Sequence, residues 1–334
     1  MTSSPIPHTT PADWPVVGAG RFAAGIRRES PDGCRLALVG LPDDLGVRLN
    51  HGRVGAASGP RAFRGALARF GADFDGAAGR SLPGSVVFDA GDVTPAPGVD
   101  AEALHRTHER ITEALAAVHG LGLIPVCIGG GHDLTFPTVR ALAQRVGRPV
   151  GGINVDAHLD VRETVGSGMP FRALIEGKFL DPQRFVTVGA GRFSDAREHV
   201  EYLLTRKATI TDIDSALGHS FGAKDAIARA FAPMSNGKPG PAGFVSIDLD
   251  AIDGSQAPGV SAVNPQGLSV AFVCDIARRA GAHAAVRHFD IMELNPAQDD
   301  PALDPLVPEP IGRTARVAAL VFLSFITGFA ERGS

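Results

Sequence analysis

The sequence has few cysteines, almost no excess of either charge, and no long apolar segment. Its 334 residues include 3 cysteines, and 32 Lys and Arg stand against 36 Asp and Glu, a formal net charge of −4. Three widely spaced cysteines form neither a disulfide framework nor a thiolate zinc cluster, so they favour a reducing compartment, the cytoplasm. The charge balance disfavours nucleic acid or an anionic membrane as a partner, because the overall field would attract neither.

The two ends of the chain carry no pattern of a targeting or membrane segment. Residues 1–13 are rich in Ser, Thr and Pro and have no basic start and no apolar stretch. They therefore do not resemble a signal peptide, and we predict a flexible N-terminal arm. Residues 317–330 are the most apolar segment, but a membrane helix needs about 20 apolar residues. We predict a buried C-terminal helix there and one folded domain over residues 14–334.

Short β-branched segments alternate with helical patterns along the chain. This alternation is typical of βαβ units, and several segments are apolar without alternation, as strands buried on both faces are. We therefore predict an α/β fold with a mostly parallel sheet of about eight strands, covered by helices on both faces. The predicted strands are residues 35–40, 86–89, 124–128, 151–156, 185–188, 208–211, 244–249 and 286–292.

Three of these strands end in segments rich in Asp and His. Ligands of open α/β sheets gather at the carboxyl ends of strands, where residues two apart project the same way. Four close carboxylates would repel and raise one another's pKa, whereas two divalent cations would neutralise them. Oxygen and imidazole donors without thiolate favour manganese, so we predict two Mn²⁺ per chain. The predicted ligands are His132, Asp156, His158, Asp160, Asp248 and Asp250.

The same segments carry a resemblance to a known family. Residues 129–133 (GGGHD), 156–160 (DAHLD) and 246–250 (SIDLD) resemble, in order and spacing, the three metal motifs of the ureohydrolases, the arginase and agmatinase family. The resemblance continues through residues 257–259 (APG) and 290–296 (DIMELNP). It implies a single arginase-like catalytic domain with three αβα layers and a binuclear manganese site.

The resemblance also implies a role for each predicted ligand. One ion would be held by His132, Asp156, Asp160 and Asp248. The other would be held by Asp156, His158, Asp248 and Asp250, so that Asp156 and Asp248 bridge the two. Ions about 3.5–4 Å apart acidify a shared water, and the resulting hydroxide would attack the carbon of an amidine or guanidine. Asp160 would carry a proton to the departing amine, and Glu293 would hold the cationic substrate nitrogen.

The sequence departs from the arginase and agmatinase motifs at two places, and these differences indicate a particular subgroup of the family. Arginases and agmatinases carry a His in the loop after the second motif, but no His lies between His158 and His199 here. After APG, residues 260–262 read VSA and not the usual TGT. These variants, with the segments 46–50 (GVRLN) and 160–162 (DVR), resemble the formimidoylglutamase subgroup. That resemblance implies hydrolysis of N-formimino-L-glutamate to L-glutamate and formamide in histidine degradation.

A substrate of this kind has two carboxylates and a cationic formimino group. Arginine forks bind carboxylates well. We therefore expect Arg162 and Arg172, which follow the second metal motif, and Arg53, in a Gly-rich loop, to contact this small-molecule substrate.

Other interpretations stay open at this point. The nearest is a guanidino-acid hydrolase of the arginase or guanidinobutyrase type, which would release urea. An amide hydrolase is more distant, and a metal-holding scaffold would be expected to lack a ligand, whereas all six are present. Family analogy alone predicts a homo-oligomer. Whether residues 295–310 fold over the site stays undecided.

Overall fold

A nine-stranded sheet forms the centre of the part of the chain that the computed structural model describes, which is residues 6–217, 223–235, 242–300 and 311–332. The strands are β1 Thr9–Thr10, β2 Leu36–Leu41, β3 Phe74–Asp75, β4 Arg80–Ser81, β5 Val87–Val93, β6 Ile124–Gly129, β7 Val150–Val155, β8 Leu180–Ala190, β9 Thr209–Asp212, β10 Gly243–Asp248 and β11 Val286–Met292. The sheet order is β1-β5-β2-β6-β11-β10-β7-β8-β9, and β3 with β4 forms a separate antiparallel pair.

The helices connect these strands. They are α1 Leu45–Leu49, α2 Gly59–Phe70, α3 Ala101–Gly120, α4 Thr135–Val146, α5 Pro170–Glu176, α6 Arg197–Thr205, α7 Ile213–Ala216, α8 Ala223–Ser235, α9 Val270–Ala282 and α10 Arg313–Phe329. Asp100 caps α3, because its carboxylate accepts the backbone N–H of Ala103 at 2.9 Å.

The eight predicted strands correspond to the eight strands that pair in parallel, β2 and β5 to β11. The α/β fold is therefore confirmed. Helices cover both faces of the sheet, as the alternation along β2 illustrates. Leu36 and Leu38 lie in one core with residues of α2, α9 and α10, whereas Ala37 and Val39 lie in a second core with residues of α3.

Part of the expected N-terminal arm is attached to the sheet. Thr9 and Thr10 pair antiparallel with Val93 and Asp92 of β5, and Ile6 is 1% exposed. This pairing covers an otherwise open edge of the parallel sheet. Residues 1–5 of the arm lie outside the described residues.

The buried C-terminal helix is present as α10, which packs against α9 and α2. Two glycines permit the close approach of α9 and α10. A Cβ at Gly328 would lie 1.9 Å from the carbonyl oxygen of Arg278, and one at Gly281 would lie 2.0 Å from that of Phe325. Among the described residues, we find no helix with the length and apolar character needed to cross a membrane.

Four adjacent strands, β6, β11, β10 and β7, form the middle of the sheet. They run parallel, so their carboxyl ends meet at one edge. The topology therefore brings together segments that lie as far apart in sequence as residues 132 and 293.

Candidate metal centre

The residues that follow these four strands converge on one buried cluster. His132 follows β6, and Glu293 follows β11. Asp156, His158 and Asp160 follow β7. Asp248 is the last residue of β10, and Asp250 comes two residues after it. All six predicted ligands therefore lie at the same edge of the sheet.

His132 is the centre of the first ligand group. Its Nδ1 lies 3.2 Å from Asp156 Oδ2, 2.9 Å from Asp160 Oδ2 and 3.1 Å from Asp248 Oδ2. The His132 side chain is 1% exposed. One nitrogen and three carboxylate oxygens thus face a common point, and these four residues could hold a metal ion.

His158 belongs to a second group that overlaps the first. Its Nδ1 lies 3.2 Å from Asp250 Oδ2 and 3.4 Å from Asp156 Oδ1. Asp156 therefore turns one oxygen to each group, as a bridging ligand would. Asp248 belongs to the first group, and its Oδ1 accepts the backbone N–H of Asp250 at 2.7 Å. A bridging role for Asp248 stays a prediction.

The donor atoms of this cluster fit a cation. His132 Nδ1 and Asp250 Oδ1 are buried and have no hydrogen-bond partner among the described residues. Buried polar atoms of this kind are costly unless they are paired. Two imidazoles and four carboxylates form a hard donor set without sulfur, which suits manganese. Two divalent cations would also balance the four negative charges.

Behind the cluster, Ser246 fixes the tautomer of His132. Its hydroxyl donates to Asp290 Oδ1 at 2.5 Å, so it must accept from His132 Nε2, which lies 3.0 Å away. Nε2 of His132 therefore carries a proton, which leaves Nδ1 as the ring nitrogen that would bind a cation. Similarly, Asn154 Nδ2 donates to Asp156 Oδ2 at 3.1 Å. Such contacts orient metal ligands.

Burial and mutual repulsion disfavour the charged form of three cluster carboxylates when no cation is present, whereas the neighbouring His132 and His158 overcome the effect of burial and lower the pKa of Asp156. Burial raises the pKa of Asp250 to about 6. Burial and the charge of Asp250 raise the pKa of Asp248 well above its usual range, and burial with the charge of Asp156 raises that of Asp160. A divalent cation would reverse each of these increases, because it stabilises the ionised form.

Glu293 lies beside the cluster and is held from two sides. One carboxylate oxygen accepts the backbone N–H of His132 at 3.0 Å, and the other contacts the hydroxyl of Ser261. Burial and the charge of Asp248 raise the pKa of Glu293 to about 8. Glu293 and Asp160 both adopt the left-handed backbone conformation, with φ of 62° and 49°. Strain of this kind is concentrated at functional sites.

A cavity of about 380 Å³ opens over the cluster and reaches Glu293. Its wall supplies hydrogen-bond donors and charged groups in addition to the predicted ligands. These are Asn50, Arg162, Ser167, Ser194, Asp195, His199 and Ser261.

The structure separates Arg162 from Arg172. Arg162 lines the cavity and donates to Asn50 Oδ1 at 2.8 Å. Arg172 is not part of the cavity wall. Its guanidinium pairs with Glu163 at 2.5 Å and with Glu176 at 3.0 Å. The two acidic partners already neutralise Arg172. The structure therefore brings Arg162, but not Arg172, to the site.

Arg53 also lies outside the cavity wall. Its guanidinium donates to the carbonyl oxygens of Ser261 at 2.9 Å and Val260 at 2.7 Å, and to Gln298 Oε1 at 3.0 Å. These partners belong to the loops that surround Glu293. Arg53 therefore holds loops together and does not point into the cavity.

Sequence reasoning did not identify the pair of Asp195 and His199. His199 Nδ1 lies 3.5 Å from Asp195 Oδ1, and both residues line the cavity. Asp195 also accepts the backbone N–H of Leu159 at 3.3 Å, which places it next to the second metal motif. The available signal was the spacing of four residues at the start of α6.

Comparison with known proteins agrees with this geometry. A model of the Arginase family matches residues 34–328. Formimidoylglutamase of Ralstonia nicotianae is 31% identical over 320 residues, which cover 91% of this chain and 88% of that enzyme. The human mitochondrial guanidino acid hydrolase is 29% identical, with 81% of this chain and 74% of that protein covered.

A solved structure is similar along almost the whole chain. The Mn²⁺ form of Trypanosoma cruzi formiminoglutamase superposes with a TM-score of 0.79 and 31% identity, covering 96% of this chain and 100% of that one. The family match extends over most of the sequence and includes every predicted ligand. The predicted resemblance is confirmed: this chain belongs to the arginase family.

Proposed function

We propose that this protein is a binuclear manganese hydrolase that converts N-formimino-L-glutamate and water to L-glutamate and formamide. The observation that carries the proposal is the pair of overlapping ligand groups that share Asp156, beneath a cavity with Glu293 and Arg162 in its wall. The similar enzymes from Ralstonia nicotianae and Trypanosoma cruzi, 31% identical in each case, support the same activity.

The amidine end of the substrate would lie between the cluster and Glu293. When bound, two Mn²⁺ ions supply a water whose pKa is close to neutrality. Glu293 accepts a hydrogen bond from the cationic formimino nitrogen, and this cation favours the ionised carboxylate. Asp160, whose side chain is 13% exposed, would take the proton that the attacking water loses and deliver it to the amine of glutamate as the bond between that nitrogen and the formimino carbon breaks.

The carboxylate end would lie against Arg162. This guanidinium lines the same cavity as the cluster, and Asn50 holds it at 2.8 Å. Ser167 is a second donor in this wall, and it is linked to Asn50 Nδ2 at 3.2 Å. An arginine with neighbouring neutral donors suits a carboxylate and offers nothing to a substrate that lacks one.

The second candidate is hydrolysis of a guanidino acid with release of urea. It is favoured by the 29% identity to the human guanidino acid hydrolase and by the same combination of acidic Glu293 and basic Arg162. The two functions differ in the group attached to the attacked carbon, and therefore in the product.

We further propose a cytoplasmic location and a homo-oligomeric state. The location is supported by three free cysteines, Cys34, Cys127 and Cys274, which suit a reducing compartment. The homo-oligomer rests on analogy with the family.

The test incubates Mn²⁺-loaded protein with N-formimino-L-glutamate, L-arginine, agmatine and 4-guanidinobutanoate and identifies the products. We expect formamide and glutamate from the first compound, at a kcat/KM at least about tenfold above the others. Urea from arginine or 4-guanidinobutanoate without formamide would favour the second candidate. Metal-free protein and Asp156→Asn serve as controls that must release neither product.

A further inference from the structure

Three loops meet at the edge of the cavity next to Glu293. The first contains Arg53, the second is residues 259–261, and the third is residues 293–298. Among the described residues, Arg53 contacts both of the other loops with its side chain and also with its backbone.

The guanidinium of Arg53 uses three of its five N–H donors in these contacts. Nε donates to the carbonyl oxygen of Ser261 at 2.9 Å, Nη2 to that of Val260 at 2.7 Å, and Nη1 to Gln298 Oε1 at 3.0 Å. Two consecutive carbonyl groups bound by one planar fork fix the orientation of the backbone at residues 260–261.

The backbone of Arg53 also contacts the other two loops. Its carbonyl oxygen accepts from Asn295 Nδ2 at 2.8 Å and lies 3.2 Å from Ser261 Oγ, whose one proton is donated to the nearer Glu293 carboxylate. Asn295 in turn donates its backbone N–H to the carbonyl oxygen of Gly259 at 2.8 Å. The three loops are therefore connected pairwise, and Arg53 takes part in two of the three connections.

Ser261 links this arrangement to the reactive part of the site. Its hydroxyl contacts the Glu293 carboxylate oxygen that His132 does not bind. Glu293 is 4% exposed and its backbone is in the left-handed conformation, so its position depends on its neighbours. A shift of the loop at residues 260–261 would move the hydroxyl that orients the carboxylate.

We propose that Arg53 is a positioning residue for Glu293 and acts through Ser261. Arg53 then does not bind the substrate carboxylates, although the sequence predicted that it would. The proposal deepens the proposed function, since it rests on Glu293 holding the substrate nitrogen. It implies that Arg53 controls turnover at the amidine end, whereas Arg162 controls binding at the carboxylate end.

The test compares Arg53→Ala, Arg53→Lys, Ser261→Ala and the double variant in Mn²⁺-loaded protein. Misplacement of a reacting group by about 1 Å costs about 100-fold in rate. We therefore expect Arg53→Ala to lower kcat by about 10- to 100-fold with KM changed less than about threefold, and Arg53→Lys to recover part of the loss. We expect the double variant to be no slower than the slower single variant, because both changes break one connection.

Arg48→Ala is the matched control, since Arg48 is an exposed arginine on α1 in the same region of the chain. We expect its kcat, KM and unfolding temperature to equal those of the unaltered protein. A raised KM for the dicarboxylate with normal kcat in Arg53→Ala would overturn the proposal in favour of substrate binding. Additive effects of Arg53→Ala and Ser261→Ala would also overturn it.

A crystal structure of Mn²⁺-loaded Arg53→Ala tests the proposal without any substrate. We expect the Ser261 hydroxyl and the Glu293 carboxylate to be separated by more than about 3.5 Å, beyond hydrogen-bond distance. An unchanged contact would overturn the positioning role. Failure of the unaltered protein to release formamide would contradict the proposed function but would leave this structural comparison valid.

Discussion

Ser246 and Asn154 are register partners on the neighbouring strands β10 and β7, and each side chain contacts a different metal-cluster residue. Ser246 Oγ lies 3.0 Å from His132 Nε2, and Asn154 Nδ2 lies 3.1 Å from Asp156 Oδ2. Each precedes an aspartate of the cluster by two residues, so both point to the same face as the ligands. The cluster is therefore supported by a buried row of polar side chains within the sheet.

This row predicts the effect of removing the Ser246 hydroxyl. Ser246→Ala leaves His132 Nε2 without its acceptor, and loss of such an orienting contact typically lowers metal affinity about 10- to 100-fold. We expect a decrease of this size in Mn²⁺ affinity, measured by calorimetry on metal-free protein. Thr187→Val is the control, because Thr187 is the register partner of Asn154 on β8 and its hydroxyl has no hydrogen-bond partner among the described residues. Equal losses in both variants would contradict the role of Ser246.

The shared position of Asp156 predicts unequal metal contents for two conservative variants. Asp156 faces both ligand groups, whereas Asp250 faces only the second. We expect Asp156→Asn to lose both Mn²⁺ ions and Asp250→Asn to lose one, as counted by elemental analysis after gel filtration in buffer without metal. Two retained ions in Asp156→Asn would show that it does not bridge. Asp248→Asn then decides whether Asp248 is a second bridging ligand, in which case it loses both ions.

The raised pKa values predict how the stability of the metal-free protein depends on pH. Unfolded Asp and Glu have pKa values of about 3.9 and 4.3. Burial raises the pKa of Asp250 to about 6 and that of Glu293 to about 8. A group with a raised folded pKa contributes stability that is complete below its unfolded pKa and is lost as the pH rises through its folded pKa. The charge of Asp250 raises the pKa of His158, which acts in the same direction above about pH 6.5.

We therefore expect the unfolding temperature of metal-free protein to fall as the pH rises from 5 to 9. Mn²⁺ competes with protons for the same carboxylates, so the increase in unfolding temperature that it causes should grow over this range. Differential scanning calorimetry with and without Mn²⁺ measures both trends. Asp156→Asn, which lacks the bridging carboxylate, should show little response to Mn²⁺ at any pH. A response to Mn²⁺ that shrinks from pH 5 to 9 would contradict the prediction.

Local patterns were enough to predict the sheet and the convergence of the six predicted ligands at one edge of it. Uninterrupted apolar segments such as residues 126–128 are buried in the sheet, so polar residues that come soon after such a strand lie at its carboxyl end. Parallel pairing then brings His132 and Asp248 together although 116 positions separate their numbers. Nothing about this step required knowledge of loop structure.

Loop contacts could not be predicted in the same way. The sequence shows that Arg53 and Arg172 are close to motif segments, but it does not show which acceptors surround each guanidinium. Arg172 forms ion pairs with Glu163 and Glu176, which are near it in sequence. Arg53 instead donates hydrogen bonds to backbone carbonyl groups about 207 positions away. Backbone carbonyls carry no residue signature, so such contacts depend entirely on tertiary structure. The open question of whether residues 295–310 fold over the site concerns mainly residues 301–310, which lie outside the described residues.

The different surroundings of two arginines predict different kinetic effects. Arg162 lines the cavity with one neutral partner, Asn50, whereas Arg172 lies outside it with two acidic partners. A charged hydrogen bond to a carboxylate contributes about 1.5–3 kcal/mol, which corresponds to about 10- to 150-fold in binding. We expect Arg162→Ala to raise KM for N-formimino-L-glutamate by about this factor, with kcat and Mn²⁺ content nearly unchanged. Arg172→Ala is the matched control and should alter KM less than about threefold. A larger increase in KM for Arg172→Ala than for Arg162→Ala would indicate that Arg172 binds the carboxylate. An unchanged KM in both variants would show that neither arginine binds the substrate.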